Sequence, residues 1–156
     1  MNCELIGRLV TEEGFAFQSW QDRYGKGVWA TLGFWQDHMD IVRDLSWDGE
    51  DQILFPAMDY VFSANWLPVE TGRTFAEAAQ NLEARLLLLP QDQLADGSEW
   101  RKLVCKALLD LREAHSGLYR NGERIKWPEP LDDLPETFEA AVEWLAASER
   151  AWVGEL

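Results

Sequence analysis

Apolar residues recur at helical spacing from Ser98 to Leu118, for more than five turns. Polar and charged residues occupy most positions between them, so this stretch predicts a long helix with one apolar face. Ser98 follows the helix breaker Gly97 and is a good N-cap, and Gly117 fits the position just after a last turn. Such a helix needs partners that cover its apolar face, and we expect it to be the central element of the core. Its apolar residues are Trp100, Leu103, Val104, Ala107, Leu108, Leu111, Ala114 and Leu118.

Two other segments predict helices on the same grounds. Thr74 followed by Glu77 has the form of a capping box, and it opens a helix that should end at Leu89, before Pro90. The link to the central helix is short and polar, so these two helices should pack as an antiparallel αα-hairpin that forms the core. A final helix should run from about Pro135 to Trp152.

The region before Thr74 predicts two shorter helices. The first spans Gln36–Leu45, where apolar residues fall three apart. The second follows Asp48, a candidate N-cap, and runs to about Ala64. Pro56 either kinks this second helix or stands in its first turn.

Residues 4 to 35 have a different pattern, in which glycine-containing turns separate short apolar runs. The run lengths and the aromatic and β-branched residues favour antiparallel strands in a meander. A helix from Thr11 to Tyr24 is the alternative for part of this region. The expected strands are Leu5–Val10, Phe15–Trp20 and Val28–Trp35.

Together these patterns predict an α+β fold. We expect a predominantly helical single domain over residues 1–156, with about five helices and a small N-terminal antiparallel β-meander. A chain of 156 residues with 47% apolar residues can bury one core without metal or disulfide support. A tight turn at Asn121-Gly122 would add a small hairpin of Leu118–Arg120 and Glu123–Lys126, followed by an extended connector over Trp127–Pro130.

The net charge of the chain limits the classes of partner that it is expected to bind. Twenty-eight acidic residues against 14 basic ones give a formal net charge of −14. Such a field repels DNA, RNA and anionic lipid and attracts basic surfaces, so we expect no nucleic acid and no membrane among its partners. The acids are also unevenly distributed: residues 129–149 carry seven acids and no base, whereas residues 101–126 carry seven bases and three acids.

The N-terminal sequence and the cysteines indicate a compartment. The first ten residues lack a basic region and a cleavage site, and no apolar run approaches the roughly 20 residues that cross a bilayer. Cys3 and Cys105 are too few and too far apart for a disulfide framework or a metal knuckle. We therefore expect a cytoplasmic protein with reduced cysteines.

No motif identifies a reaction. Asp37, His38 and Asp40 form the one local group that resembles an acid–base or metal site, but a stable metal site needs three or four ligands. Cys105 and His115 would be about 15 Å apart along one helix, too far for a nucleophile and its base. We expect no catalytic residue, metal or cofactor. A small enzyme that uses Asp37, His38 and Asp40 is the alternative.

Acidic residues beside aromatic ones predict a binding surface for a cationic protein. A tryptophan surrounded by carboxylates has the composition of an interface hot spot, and the chain has nine tryptophans. The C-terminal helix would also place three glutamates three and four residues apart on one exposed face. The candidate partner-binding residues are Trp47, Asp48, Glu50, Asp51, Trp66, Glu136, Glu139 and Glu143.

In size, acidity and single-domain build the chain resembles bacterial immunity proteins that neutralise secreted toxins of contact-dependent or type VI systems. The resemblance is one of type and extends over the whole chain, with no motif behind it. It implies an acidic, non-enzymatic protein that covers a basic surface of a toxin or nucleic-acid-binding enzyme. One alternative is a phage-encoded inhibitor, an anti-restriction or anti-CRISPR protein that mimics DNA charge. Another is an adaptor with an exposed apolar patch.

Overall fold

The computed structural model describes residues 2–34, 36–47, 61–95, 98–118 and 135–154. These residues form five α-helices, one 3₁₀ helix and a three-stranded antiparallel sheet, which confirms the α+β class. Residues 61–63 are helical as well. In chain order the elements are α1 (Glu4–Glu12), β1 (Ala16–Gln21), β2 (Val28–Gly33), α2 (Gln36–Trp47), β3 (Val69–Gly72), α3 (Phe75–Leu87), the 3₁₀ helix (Gln91–Leu94), α4 (Glu99–Leu118) and α5 (Phe138–Gly154).

The sheet has the order β1-β2-β3, so its third strand comes from later in the chain than predicted. The expected strand Leu5–Val10 is wrong, because this run lies in α1. Leu5, Ile6 and Leu9 are buried and follow the spacing of one helical face, while Val10 is exposed. The alternative helix from Thr11 to Tyr24 is also wrong, since β1 occupies the middle of that range, at Ala16–Gln21.

β1 and β2 form a hairpin that is fixed by two tryptophans. Trp20 pairs with Trp29 across the strands, and the two rings stack with centroids 6.0 Å apart. Each indole N–H has a partner: Trp20 Nε1 donates to Ser46 Oγ at 3.0 Å, and Trp29 Nε1 donates to Asp22 Oδ1 at 3.1 Å. The hairpin therefore presents a defined aromatic surface to α2 and to the helical residues 61–63.

The predicted N-cap of α3 is confirmed. The Thr74 hydroxyl accepts a hydrogen bond from the N–H of Glu77 at 3.1 Å, and the Glu77 carboxylate accepts one from the N–H of Arg73. α3 packs on β3 and β2. Gly72 makes the sharp entry into α3 possible, because a Cβ atom there would collide with the backbone of Ala78.

The prediction that α3 and α4 pack as an αα-hairpin is wrong, because the two helices pack mainly on other elements. α3 buries its small and apolar face on the sheet, whereas α4 packs mainly against α2, α5 and the 3₁₀ helix that precedes it. Ser98 is confirmed as a capping residue, since its hydroxyl accepts from the N–H of Arg101 at 3.2 Å. Gly117 does not end the helix, which continues to Leu118.

The last helix begins later than predicted. α5 starts at Phe138, and Thr137 caps it through a hydrogen bond from the N–H of Ala140 at 3.3 Å. Residues 48–60, which contain most of the predicted helix after Asp48, are outside the described ranges. The predicted turn at Asn121-Gly122 and the connector Trp127–Pro130 are outside them as well. Among the described helices, none combines the length and apolar character needed to span a membrane.

Candidate partner-binding surface

Half of the predicted binding residues fall at positions of which the structure gives no side-chain description. Trp47 is the last residue of α2, but its side chain is not among the described ones. Asp48, Glu50 and Asp51 lie outside the described ranges. Their role in binding stays a prediction.

Trp66 lies in the core and not at the surface. Its side chain is 0% exposed, its indole N–H donates to the carbonyl of Pro135 at 3.1 Å, and its own carbonyl accepts from Trp100 Nε1 at 2.7 Å. These bonds connect α4, the 61–67 segment and the start of α5. We therefore remove Trp66 from the candidate surface, because an anchor for a partner has to be accessible.

The three C-terminal glutamates are all exposed, but they do not share one helical face. Glu136 precedes α5, and its carbonyl accepts from the N–H of Asn65 at 3.1 Å. Glu139 and Glu143 stand one turn apart in the first two turns of α5. In the described part of the chain, neither of them forms an ion pair with a lysine or arginine.

Glu139 forms one wall of a cleft of about 440 Å³ between α3, the helical residues 61–63 and the start of α5. We call this the α3–α5 cleft. Two of its apolar residues are prominent, since Leu88 is 87% exposed and Phe62 is 43% exposed. Scattered exposed apolar residues are ordinary, but here they line the same cleft as an exposed carboxylate. The residues that define the cleft are Phe62, Leu88, Leu89, Pro90, Phe138 and Glu139.

The residues that line the cleft include an ion pair between a buried arginine and a partly buried glutamate. Arg85 is 8% exposed, and its guanidinium meets the Glu70 carboxylate at 3.2 Å. Burial lowers the pKa of Arg85, while Glu70 acts in the opposite direction, and the guanidinium stays charged. The two charges of the pair cancel, so Glu139 contributes the net charge among the residues that line this cleft.

Among the described side chains of the central helix, Arg101 and Lys106 contact aromatic rings of the same chain. The Arg101 guanidinium lies over the rings of Phe15 and Phe34 and forms an ion pair with Glu13 at 3.7 Å. Lys106 lies over the ring of Trp144 on α5. The basic face of α4 thus contributes to packing against the aromatic core.

The residues considered for chemistry are described only in part, so the enzyme alternative stays a prediction. Asp40 is half-buried on α2, and the side chains of Asp37 and His38 are not described. Across the described ranges, no three His, Cys, Asp or Glu side chains are arranged to hold a metal ion. Burial raises the pKa of both Cys3 and Cys105, which keeps these sulfurs as thiols at neutral pH.

The exposed apolar residues of the cleft were not predicted as binding residues. Leu86 to Leu89 form a run of four leucines, which is wider than the single face that a helix buries. That width was the available signal, because at least one leucine of such a run has to face solvent. Comparison of this chain with models of protein families, with curated proteins and with solved structures found no match.

Proposed function

We propose that this protein is a non-enzymatic binding protein that neutralises a basic protein partner, in the manner of an immunity protein that blocks a toxin. The observation that carries the proposal is the α3–α5 cleft, where the exposed Leu88 and Phe62 lie beside the exposed Glu139. Protein interfaces typically have large apolar anchors at the centre and polar or charged residues at the rim. The partner would place an apolar side chain in the cleft and lysines or arginines against α5.

The two components contribute differently to binding. Complete burial of an exposed leucine or phenylalanine side chain stabilises a complex by about 1.5–3 kcal/mol. The carboxylates of Glu139 and Glu143 act over a longer range and accelerate encounter with a basic surface. Apolar contacts therefore determine mainly how slowly the complex dissociates, and charge determines mainly how fast it forms.

The exposed leucine also favours this function over DNA mimicry. A mimic of DNA needs carboxylates spaced like phosphates along an elongated face. Here apolar residues line the same cleft as Glu139, and they fit a partner that supplies apolar as well as basic side chains. Both kinds of protein would bind a basic partner. The amino-acid sequences of peptides that bind to the cleft would distinguish them, because only the proposed function requires an apolar residue in the peptide.

A library of random 12-residue peptides displayed on phage tests the recognition directly. We expect the selected peptides to be rich in lysine and arginine and to share a large apolar residue. Leu88→Gln should lower their affinity at least tenfold. Leu87→Gln is the matched control, since Leu87 is also exposed, at 58%, but does not line this cleft. Selected peptides without basic residues, or equal effects of the two variants, would refute the proposal.

Charge reversal separates a local site from the net charge of the molecule. Glu139→Lys with Glu143→Lys should slow peptide association. Glu4→Lys with Glu12→Lys changes the net charge equally at exposed positions of α1 and should have a smaller effect. The association rate with the wild type should also fall as salt rises from about 50 to 500 mM, because screening shortens to below 10 Å. A rate independent of salt contradicts the proposal.

Neutralisation is tested on the partner itself. A photo-crosslinking residue in place of Leu88 captures the protein that occupies the cleft in cells. Support requires that the wild-type protein inhibits the purified partner at a one-to-one ratio and that Leu88→Gln inhibits it less. A captured protein whose activity is unaffected by the wild type would overturn the inhibitory function.

A further inference from the structure

A second cleft, of about 530 Å³, adjoins the first, and Phe62 lines both. We call it the hairpin cleft, because the β1–β2 hairpin supplies Asp22, Lys26 and Trp29 to its wall. The start of α3 supplies Arg73 and Glu77 on the other side. Phe62 therefore stands between two depressions and is accessible from each.

One face of α3 runs along both clefts. Glu77 lines the hairpin cleft, and Asn81, Ala84 and Leu88 line the α3–α5 cleft. These residues follow each other at intervals of four, three and four, which places them on the same side of the helix. At 1.5 Å per residue, the face from Glu77 to Leu88 is about 16 Å long. The two clefts are thus parts of one groove along α3.

The ring of Phe62 is held in place before any partner binds. Its centroid lies 5.4 Å from that of Trp29, whose indole is in turn stacked on Trp20 and hydrogen-bonded to Asp22. An exposed aromatic ring in a fixed position loses little conformational entropy when a partner covers it. This is the property of an interface anchor.

The groove recognises side chains and does not add a strand to the sheet. The carbonyls of Val69 and Thr71 in β3 accept hydrogen bonds from Arg85 and from Asn81, at 3.0 and 2.8 Å. The N–H of Val69 donates to Leu67, and that of Thr71 donates to the Glu70 carboxylate. Since these backbone groups already form hydrogen bonds within the chain, a partner strand could not pair with β3 through them.

We infer that one segment of the basic partner lies along α3 across Phe62, with a basic residue beside Glu139 and an acidic residue beside Lys26. The inference rests on the proposed function and adds the orientation of the partner. It follows from the charges at the two ends of the groove: Glu139 is exposed at one end, while Lys26 and Arg73 are exposed at the other. Arg73 is paired with Glu77 at 3.4 Å, and both carboxylate oxygens of Asp22 accept hydrogen bonds within the hairpin, from the N–H of Tyr24 and the indole of Trp29. Lys26 is then the exposed cation that can meet the partner's carboxylate.

The test uses the peptides selected from the 12-residue library. Phe62→Ala should lower their affinity at least tenfold, whereas Tyr24→Ala should change it less than twofold. Tyr24 is a suitable control because it is 56% exposed, aromatic and outside both clefts. Thermal unfolding of each variant verifies that the fold is kept.

A charge exchange tests the orientation with a substitution at an exposed position. Replacing the acidic residue of a selected peptide by lysine should weaken its binding to the wild type and restore binding to Lys26→Glu. If Phe62→Ala and the exchange have no effect while Leu88→Gln still weakens binding, the inference is wrong and the proposed function stands. If Leu88→Gln and the α5 reversals have no effect either, the proposed function fails as well.

Discussion

Arg85→Met removes the side chain that connects α3 to the segment from Val61 to Glu70. The guanidinium of Arg85 donates to the carbonyl oxygens of Val61, Ala64, Asn65 and Val69 and to the Glu70 carboxylate. All five of its N–H groups are used in this way. Methionine keeps most of the apolar stem but supplies none of these donors. The variant therefore takes a donor from four carbonyls and one carboxylate, of which the Ala64 carbonyl keeps the N–H of Leu67 and the Glu70 carboxylate keeps the N–H of Thr71.

The expected loss is about 3–5 kcal/mol. Breaking a buried ion pair by removing one partner typically costs about 3–5 kcal/mol, and each buried acceptor left unsatisfied costs about 1–3 kcal/mol. The total loss is smaller than the sum of these separate costs, because Glu70 is 26% exposed and water replaces part of the lost contacts. For a domain of total stability of about 5–15 kcal/mol, the loss corresponds to a fall in Tm of about 6–20 °C.

Urea unfolding followed by tryptophan fluorescence and circular dichroism measures this loss. Arg73→Met is the matched control, because the side chain of Arg73 is 87% exposed and its ion pair with Glu77 is worth at most about 0.5 kcal/mol. Adding Glu70→Gln to Arg85→Met should recover about 1 kcal/mol, since it removes the uncompensated carboxylate. The reasoning is refuted if Arg85→Met costs less than 1 kcal/mol or no more than the Arg73 control.

Three further predictions concern the ends of the helices. Glu83→Gln should destabilise the protein by about 1.5–3 kcal/mol in urea unfolding, because the buried Glu83 carboxylate accepts from the first N–H groups of α1, and the exposed Glu4→Gln should cost far less. Thr74→Ala should cost about 1 kcal/mol in the same assay, whereas Thr74→Ser should be nearly neutral. Burial and the charge of Glu83 raise the pKa of the Cys3 thiol, so iodoacetamide at pH 7.5 should alkylate Cys3 more slowly than free cysteine. The alkylation rate should keep rising above pH 9, and it should be higher in Glu83→Gln than in the wild type. Alkylation of Cys3 as fast as that of free cysteine at pH 7.5 would contradict the last prediction.

Local sequence patterns were sufficient to predict structure where the hydrogen-bond donor and acceptor lie within one turn of the chain. Thr74 and Ser98 cap their helices with hydrogen bonds to residues three positions later, and this spacing is visible in the sequence. They were insufficient for Leu5–Val10, because a short apolar run fits a strand and a helical face equally well. The N–H groups of Leu5 and Ile6 are accepted by Glu83, nearly 80 residues away, and no local signal indicates that partner.

β3 escaped prediction for a similar reason. Val69–Gly72 is only four residues long, and it becomes a strand through its pairing with β2 and the side chains of α3 that satisfy its outer carbonyls. The binding surface could be predicted only in part. Composition indicated the exposed Glu139 and Glu143, but an exposed Leu88 and a buried Trp66 depend on which elements cover them. Tertiary packing decides this, and hydrophobicity alone would have assigned both residues to the core.

Arg85 connects the stability of the fold to the sign of the binding surface. If Arg85 lined the cleft without Glu70, the cleft would carry a positive charge that opposes the proposed attraction between Glu139 and a basic partner. If Glu70 stood there alone, its carboxylate, which is only 26% exposed, would be left without a cationic partner. The two charges of the pair cancel, and the bonds of Arg85 to the carbonyls of Val61 and Ala64 hold the turn of chain that carries Phe62. The same guanidinium thus fixes the position of Phe62 and, in the binding function that we propose, leaves the exposed acids of α5 to determine which partner the cleft would attract.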